Sequence, residues 1–193
     1  IFKGEYPEEL IKWYEGKVKI PDIMPDDLKT ISQPIDFLGI NNYFSSFIKY
    51  DAKSWPLEAL SVDTGKDKTE MGWEINPEGI YDLLMYLHKE YKGIKILITE
   101  NGAAFNDIVN REGKVEDDNR LDYLYRHLKQ VHRAISDGVN VEGYYVWSLM
   151  DNFEWARGYS KRFGLIYVDY KTQRRIFKKS ALWYKDVIKN KGF

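Results

Sequence analysis

The chain has 193 residues, with 44% hydrophobic and 31% charged side chains, a balance typical of a globular domain with a sizeable core. Its 29 basic and 30 acidic side chains nearly cancel, so the charge gives no reason to expect nucleic acid or a membrane as a partner. Cysteine is absent and the three histidines have no metal-binding spacing. We therefore predict a cytoplasmic protein without a metal or a cofactor.

The first half of the chain alternates short predicted elements with breaks marked by proline and glycine. Residues 7–14 have the pattern of a short helix, and the apolar run 35–41 has that of a buried strand. Residues 49–72 are polar and include two glycines, which predicts a long loop or lid. Pro77 then begins a predicted helix that runs to about residue 91. The apolar face of this helix consists of Ile80, Leu83, Leu84 and Leu87.

The second half continues the alternation of strands and helices. Asp117 or Asp118 is expected to cap a long helix, which Gly138 ends. In chain order, the predicted elements are an apolar strand at 94–100, this long helix, a strand at 141–148, a hairpin around 171–173 and an amphipathic helix at about 179–189. The apolar stripe of the long helix consists of Leu121, Leu124, Leu128, Val131 and Ile135.

Strands that alternate with helices predict a parallel sheet with right-handed crossovers. The connections from helix to strand are tight, whereas those from strand to helix are long and polar. This asymmetry is typical of a (β/α)₈ barrel, whose chemistry is carried by the loops that follow the strands. A doubly wound sheet has the same asymmetry, but no glycine-rich phosphate loop follows any strand of this chain.

Polar and aromatic side chains follow each of the three predicted parallel strands. Asn41 and Tyr43 leave the first strand, Glu100 and Asn101 leave the second, and Trp147 and residues 151–155 leave the third. Because the carboxyl ends of parallel strands meet at one face, we expect these side chains to share a site. Aromatic rings pack on the apolar faces of a sugar, and carboxylates and amides bind its hydroxyls. The combination therefore favours a sugar site.

Two of these interpretations have a structural alternative. Glu100 is either a functional carboxylate or the acidic residue with which a strand happens to end. Trp147 and Trp155 are either sugar-binding rings or core indoles, although two indoles beside a glutamate are costly to bury without partners.

Long ordered motifs also carry a resemblance to a known family. The segments ITENG, YYVWSLMDNFEW and GYSKRFGLIYVDY closely resemble the C-terminal part of family 1 glycoside hydrolases, the retaining β-glucosidases and β-galactosidases. The segments DFLGINNY and MGWEINPEGIYDLL fit the same family at the preceding unit. The resemblance extends over essentially the whole chain.

The resemblance implies roles for the residues at the first two strand ends. Glu100 matches the catalytic nucleophile of the family, and Tyr43 matches the tyrosine that hydrogen-bonds and orients that nucleophile. Asn41 matches a polar residue that lines the same pocket. The family often has a second aromatic residue where this chain has Asn42, but Tyr43 itself is present.

The resemblance also implies a set of sugar-binding residues. Trp147 matches the aromatic floor beneath the sugar, Glu154 and Trp155 match the pair that holds the hydroxyls of the glycone, and Phe163 matches a nearby wall. Trp73 matches the tryptophan on the aglycone side. A turn-anchoring role beside the following proline is the alternative for Trp73.

One expected element of the family is absent from the sequence. The general acid/base glutamate of the family lies in an Asn-Glu-Pro motif after the fourth barrel strand, and this motif does not occur here. Only the last three of eight strands are found. We therefore expect residues 1–193 to be the C-terminal segment of a single barrel domain, with a complementary N-terminal barrel segment as its partner.

Two functions follow from the resemblance. In the first, the chain belongs to a retaining β-glycosidase that cleaves terminal β-D-glycosides through a covalent intermediate on Glu100, with the acid/base supplied by the N-terminal part. In the second, it is an incomplete half-barrel that only assembles or binds sugar weakly. The glycone is glucose, galactose, fucose or a 6-phospho sugar. Residues 156–159 differ from the usual pattern of the phospho-specific members.

Folding of the isolated chain tests the expectation of a partial barrel. Three parallel strands with an open edge and an uncovered face should aggregate or recruit a partner. We expect residues 1–193 alone to show no cooperative thermal unfolding as a monomer, and to gain it when the complementary segment is added. Analytical ultracentrifugation with a melting curve checks this, and a monomer that melts cooperatively by itself would contradict it.

Overall fold

The computed structural model describes residues 1–91 and 93–193. The helices, in chain order, are α1 (Glu8–Tyr14), α2 (Asp27–Ile31), α3 (Glu78–Tyr91), α4 (Asp118–Ser136) and α5 (Lys179–Asn190). The strands are β1 (Leu38–Asn41), β2 (Phe47–Tyr50), β3 (Ala59–Val62), β4 (Ile96–Asn101), β5 (Val141–Val146), β6 (Ile166–Val168) and β7 (Arg175–Phe177).

The chain divides into two units. The first unit comprises Ile1–Asp36 and Ser46–Asp63, and the second comprises Phe37–Ser45 and Thr64–Phe193. The first contains α1, α2 and the antiparallel hairpin of β2 and β3, whereas the second contains all the other elements.

The hairpin of the first unit corrects the prediction of a loop or lid at 49–72. β2 and β3 pair from Phe47 opposite Val62 to Tyr50 opposite Ala59. Each strand has only four residues, and seven of the eight are exposed. Because these strands bury almost no side chain, their sequence lacks the alternation of apolar and polar residues that would have distinguished them from a loop. The short helix α2 was not predicted either, because its five residues lie in a polar segment marked by prolines.

A three-stranded parallel sheet forms the centre of the second unit. Its strand order is β1-β4-β5, so β4 is paired on both sides. α3 connects β1 to β4 and α4 connects β4 to β5, which gives consecutive β/α units. The predicted parallel sheet is therefore confirmed, with β4 at its centre.

The main core lies between this sheet and the two helices that connect its strands. Its buried members are Ile80, Leu84, Leu87, Ile96, Ile98, Val131, Ala134 and Val139. The apolar periodicity of the two helices predicted four of these residues, Ile80, Leu84, Leu87 and Val131. Ile135 is a correction: although it continues the stripe of α4, it lies in the last turn of the helix and is 47% exposed.

The first strand is shorter and less buried than predicted. β1 begins at Leu38, whereas Ile35 and Phe37 precede it and are each 46% exposed. Within β1, half-buried and exposed residues alternate. β1 has a partner on one side only in the described sheet, which explains why its apolar sequence does not produce a fully buried strand.

The end of the chain adds a hairpin and a helix. β6 and β7 pair antiparallel around the predicted turn, and α5 follows at the predicted position. Ala181, Trp183 and Tyr184 of α5 pack on a second cluster of buried residues. In the described residues, no helix has both the length and the hydropathy needed to cross a membrane.

Candidate functional site

The carboxyl ends of β1 and β4 bring Tyr43 and Glu100 together. The two strands pair up to Asn41 and Glu100, and the Asn42 amide then donates to the Glu100 carbonyl oxygen at 2.9 Å. One residue later, the Tyr43 hydroxyl donates to Glu100 Oε2. The contact predicted from the resemblance is therefore present, and the backbone pairing of the two strands produces it.

The Tyr43 phenol is held in its protonated form. Burial raises its pKa far above the ordinary value of 10.0, and the hydrogen bond to Glu100 and the negative charges of Glu100 and Glu154 raise it further. The Tyr43 hydroxyl therefore keeps the proton that it donates to Glu100 at neutral pH.

Glu154 is close enough to Glu100 for their charges to interact. Burial raises the pKa of Glu154, a hydrogen-bonding interaction with the Trp147 side chain lowers it in part, and the charge of Glu100 raises it. Trp147 follows β5, and Glu154 follows seven residues later. The structure therefore brings Glu100, Tyr43, Glu154 and Trp147 into one region at the strand ends.

An aromatic cluster lies beside Tyr43. The ring of Trp73 is 5.4 Å from that of Tyr43 and 6.0 Å from that of Phe163, measured between centroids, and it stacks on Phe44 at 5.0 Å. Phe163 is buried and lies 6.2 Å from Tyr43. Trp73 therefore contacts the site residues directly, which a role in anchoring the turn alone would not require.

Two predicted site residues lie at the margin of this group. The Asn41 side chain is exposed and accepts a hydrogen bond from the Thr99 hydroxyl at 2.7 Å. Trp155 is 81% exposed and begins a single turn of 3₁₀ helix. Both are accessible, and Trp155 is clearly not a core indole.

A buried polar network behind Glu100 was not predicted. The Asn101 side-chain amide donates to the Asn42 carbonyl oxygen at 2.8 Å and to the Tyr123 hydroxyl at 3.1 Å, and its oxygen accepts from the Tyr144 hydroxyl. The Tyr123 hydroxyl in turn donates to the Tyr43 carbonyl oxygen at 2.8 Å. Asn101 is therefore a correction: it was predicted to be one of the amides of the sugar site, but its side chain is fully buried and its polar atoms already have partners.

A glycine allows β4 and β5 to approach each other at the site. A Cβ atom on Gly102 would overlap the carbonyl group of Trp147. Since backbone atoms cannot move aside as a flexible side chain can, only glycine fits this position without displacing the strand end that carries Trp147.

The loops around the site are joined by a buried charge cluster, which consists of Asp107, Asp117, Arg120, Asp151, Arg162 and Lys178. Arg120 binds both oxygens of Asp107 at 2.8 and 2.9 Å and Asp117 at 2.6 Å. Lys178 bridges Asp107 at 2.6 Å and Asp151 at 2.8 Å. Arg162 completes the cluster through Asp151 at 2.5 Å.

Backbone contacts tie this charge cluster to the site loops. Arg120 donates to the carbonyl oxygen of Ala103, three residues after Glu100, and to that of Arg162, which precedes Phe163. The Asp151 carboxylate accepts from the Gly164 amide at 2.9 Å. Of the two predicted caps of α4, Asp117 occupies the N-cap position, but its carboxylate makes no cap bond and binds Arg120 and Ser180 instead.

Within residues 1–91 and 93–193, no group of three or more histidine or acidic side chains is arranged to hold a metal ion. The chemistry available at the strand ends is that of two neighbouring carboxylates, a protonated phenol and several aromatic rings. This set can bind sugar hydroxyls, stack on a sugar ring and present a carboxylate to a reacting carbon.

Parallel strands with intervening helices, and carboxylates and rings at the strand ends, are the arrangement of α/β folds that carry their chemistry at the carboxyl ends of the strands. The profile described as "Glycosyl hydrolase family 1" matches residues 1–193. The chain therefore belongs to glycosyl hydrolase family 1.

Relatives of known activity cover the whole chain. It is 53% identical to the 1,4-β-D-glucan glucohydrolase of Thermotoga neapolitana and 53% identical to β-glucosidase A of Acetivibrio thermocellus, in both cases over 100% of this chain. The matches account for 43% and 44% of those two proteins. The chain thus spans less than half the length of the relatives it matches.

Solved structures confirm the predicted fold class. The family 1 β-glucosidase from Thermotoga maritima matches with a TM-score of 0.94 and 48% identity, over 100% of this chain and 43% of that one. The same enzyme in complex with castanospermine matches with a TM-score of 0.93. The chain has the fold of part of a (β/α)₈ barrel glycosidase.

Lys178 is expected to be essential to the buried charge cluster. We design a chimera in which this chain replaces the matching part of the Thermotoga maritima β-glucosidase. Because Lys178→Met leaves the buried aspartates with one cation too few, we expect it to lower the free energy of unfolding of the chimera by about 3–5 kcal/mol. Denaturant titration gives the value.

The neighbouring residue provides the control for Lys178. Lys179 is about half exposed and pairs with exposed Asp118 at 2.6 Å. We expect Lys179→Met to cost less than about 1 kcal/mol. Equal effects of the two substitutions would show that the charge cluster does not contribute as described.

His127 is expected to make stability depend on pH. Its Nδ1 donates to the Tyr123 carbonyl oxygen at 2.8 Å, and burial lowers its pKa from 6.5 to about 4. Between these values the unfolded chain binds more protons than the folded chain. The stability that neutral His127 contributes is therefore complete above pH 6.5 and falls by about 3 kcal/mol as the pH drops to 4.

The pH dependence can be assigned by substitution in the chimera. We expect His127→Gln to flatten the fall in unfolding free energy between pH 6.5 and 4, measured by denaturant titration at each pH. His132→Gln, at an exposed position on the same helix, should leave the slope unchanged. A slope that His127→Gln does not alter would contradict the assignment.

Proposed function

We propose that this chain carries the nucleophile and the glycone-binding residues of a retaining β-glucosidase. Glu100 attacks the anomeric carbon of a terminal β-D-glucoside and forms a covalent glycosyl-enzyme intermediate. Water then hydrolyses the intermediate with retention of configuration. Family membership and the geometry at the carboxyl ends of β1, β4 and β5 support this proposal.

The hydrogen bond from Tyr43 to Glu100 is the observation that carries the proposal. A phenol that stays protonated stabilises the ionised carboxylate and fixes the direction of the attacking oxygen. A residue that merely ended a strand would have no need of a half-buried phenol aimed at its carboxylate. The functional role of Glu100 is therefore favoured over the strand-ending alternative.

The neighbouring residues divide into two binding groups. On the glycone side, Trp147 supplies the floor, Glu154 and Trp155 bind hydroxyls, and Asn41 lines the pocket. The proximity of Glu154 to both Glu100 and Trp147 supports its role in binding hydroxyls. The indole of Trp155 is exposed, so a ligand can reach it.

On the other side, Phe163 and Trp73 form a continuous aromatic wall next to Tyr43. We propose that Phe163 bounds the glycone and that Trp73 contacts the aglycone. Trp73 is half-buried, so part of its ring is accessible to an aglycone, whereas Phe163 is buried and would bound the glycone from behind the accessible surface.

Retaining hydrolysis needs a second carboxyl group about 5–5.5 Å from the nucleophile, to act as acid and then as base. We propose that a complementary N-terminal barrel segment supplies this residue. Glu154 is not assigned this role, because we propose that it binds the hydroxyls of the glycone. The isolated chain is accordingly expected to have no activity on ordinary glycosides, whose leaving groups need a proton.

The names of the relatives favour glucose as the glycone. The proteins with 53% identity are a 1,4-β-D-glucan glucohydrolase and a β-glucosidase. We therefore propose terminal β-D-glucosides as the substrate class. The cytoplasm stays the proposed cellular setting, as expected from the sequence.

Covalent labelling tests the nucleophile. A 2-deoxy-2-fluoroglucoside with an activated leaving group forms the glycosyl-enzyme without acid assistance, and the fluorine slows its hydrolysis. We expect the label on Glu100 when the chimera is digested and its peptides are analysed by mass spectrometry. Glu100→Gln should abolish labelling because the attacking oxygen is lost.

A matched carboxylate controls the experiment. Glu142 is exposed and pairs with Lys95 at 3.3 Å, so Glu142→Gln should leave the labelling of Glu100 unchanged. A label on another residue would overturn the assignment of Glu100. A chimera that folds but is never labelled, while the parent Thermotoga maritima enzyme is, would favour the incomplete half-barrel instead.

A further inference from the structure

We infer that Tyr123, together with Asn101, is a positioning residue that holds Tyr43 in place to donate to Glu100. The inference rests on the proposed function of Glu100 and extends it to residues that cannot touch the substrate. Both side chains are fully buried: Asn101 at the end of β4, and Tyr123 in the second turn of α4.

The backbone that carries Tyr43 is held by side chains. Regular pairing of β1 with β4 ends where the Asn42 amide donates to the Glu100 carbonyl oxygen. Beyond that point, the carbonyl oxygen of Asn42 accepts from the Asn101 amide at 2.8 Å, and the carbonyl oxygen of Tyr43 accepts from the Tyr123 hydroxyl at 2.8 Å. Two consecutive peptide groups are thus fixed from behind the site.

The direction of each hydrogen bond in this network is determined by its chemistry. A carbonyl oxygen can only accept, so the Tyr123 proton lies towards Tyr43, and the Tyr123 oxygen is free to accept from the Asn101 amide at 3.1 Å. The Tyr144 hydroxyl donates to the amide oxygen of Asn101, which keeps the Asn101 nitrogen turned towards Asn42 and Tyr123.

Tyr123 is itself rigidly held. Its ring stacks on His127 with centroids 3.9 Å apart, and it packs in a buried cluster with Ala103, Leu124 and Leu165. Burial raises the pKa of its phenol well above 10.0, so the hydroxyl retains the proton that it donates. A group this restricted can define the position of a neighbouring peptide.

These contacts close a loop through three elements. Glu100 and Asn101 are adjacent in β4, Tyr43 follows β1, and Tyr123 belongs to α4. The Asn101 side chain points away from the site to bind Tyr123, and the Tyr43 ring points into it to bind Glu100. The position of Tyr43 relative to the nucleophile is therefore set by Tyr123 and Asn101.

A double-mutant cycle in the chimera tests the inference. Tyr123→Phe removes one oxygen and preserves the ring, and we expect it to lower kcat about 3- to 10-fold, the value of one neutral hydrogen bond. Tyr43→Phe should lower kcat about 10- to 100-fold, since its partner is charged. When Tyr43 is already phenylalanine, adding Tyr123→Phe should cost less than about 2-fold, because the residue acts through Tyr43.

The pH profile provides a readout that a loss of stability would not change. With Tyr43 displaced, ionised Glu100 is less stabilised, so the acid limb of kcat/KM should move to higher pH in Tyr123→Phe. Tyr184→Phe is the matched control, because it also removes a partly buried hydroxyl that donates to a backbone carbonyl, that of Tyr144 at 3.2 Å. It should leave the acid limb in place.

The possible outcomes separate this inference from the proposed function. Labelling of Glu100 in the parent chimera is measured first, and its failure would overturn both. If Glu100 is labelled, two results would overturn the positioning role alone. One is that Tyr123→Phe lowers kcat equally with Tyr43 and with phenylalanine at position 43, and the other is that the acid limb of kcat/KM does not move. If Tyr123→Phe does not fold, Tyr144→Phe carries the same test, since it releases the Asn101 amide and leaves Tyr123 intact.

Discussion

The pairing of β4 with a parallel strand on each side is the constraint on which the candidate site depends. Because β1 and β5 run alongside β4, the chain leaves the sheet three times at the same edge, and each exit delivers polar or aromatic side chains to one region. Tyr43 reaches Glu100 one residue after the last hydrogen bond between their strands. The central contact of the site is therefore built by the sheet and then fixed by side chains behind it.

The buried charge cluster fixes the loops that follow the strands. Ion pairs removed from water gain little unless every charge has partners, and here the three aspartates and three cations share one connected set of contacts. Asp107 and Asp151 come from the loops after β4 and β5, and Lys178 comes from the start of α5. If one loop moved away, a buried charge on another loop would lose its partner. The loops that bear the site are therefore expected to move together or not at all.

The sequence predicted what depends on periodicity and on local motifs. The two connecting helices, the apolar strand before Glu100 and the contact of Tyr43 with Glu100 all follow from residue order or from the family resemblance. The β2–β3 hairpin escaped prediction because its exposed four-residue strands bury no face. The partnership of Asp107 with Lys178 joins residues 71 positions apart, and no local pattern encodes a contact made only by the folded chain.

The composition of the charge cluster also determines how strong an electrostatic field it produces at the candidate site. With three carboxylates against three cations, the cluster has no net monopole, so its field decays with distance much faster than that of a single buried ion. Strong local attraction between loops is therefore obtained with little electrostatic effect at a distance. The groups that shift the pKa of Glu154 are accordingly its near neighbours Trp147 and Glu100, so the contacts that hold the loops together and those that tune this carboxylate are separate.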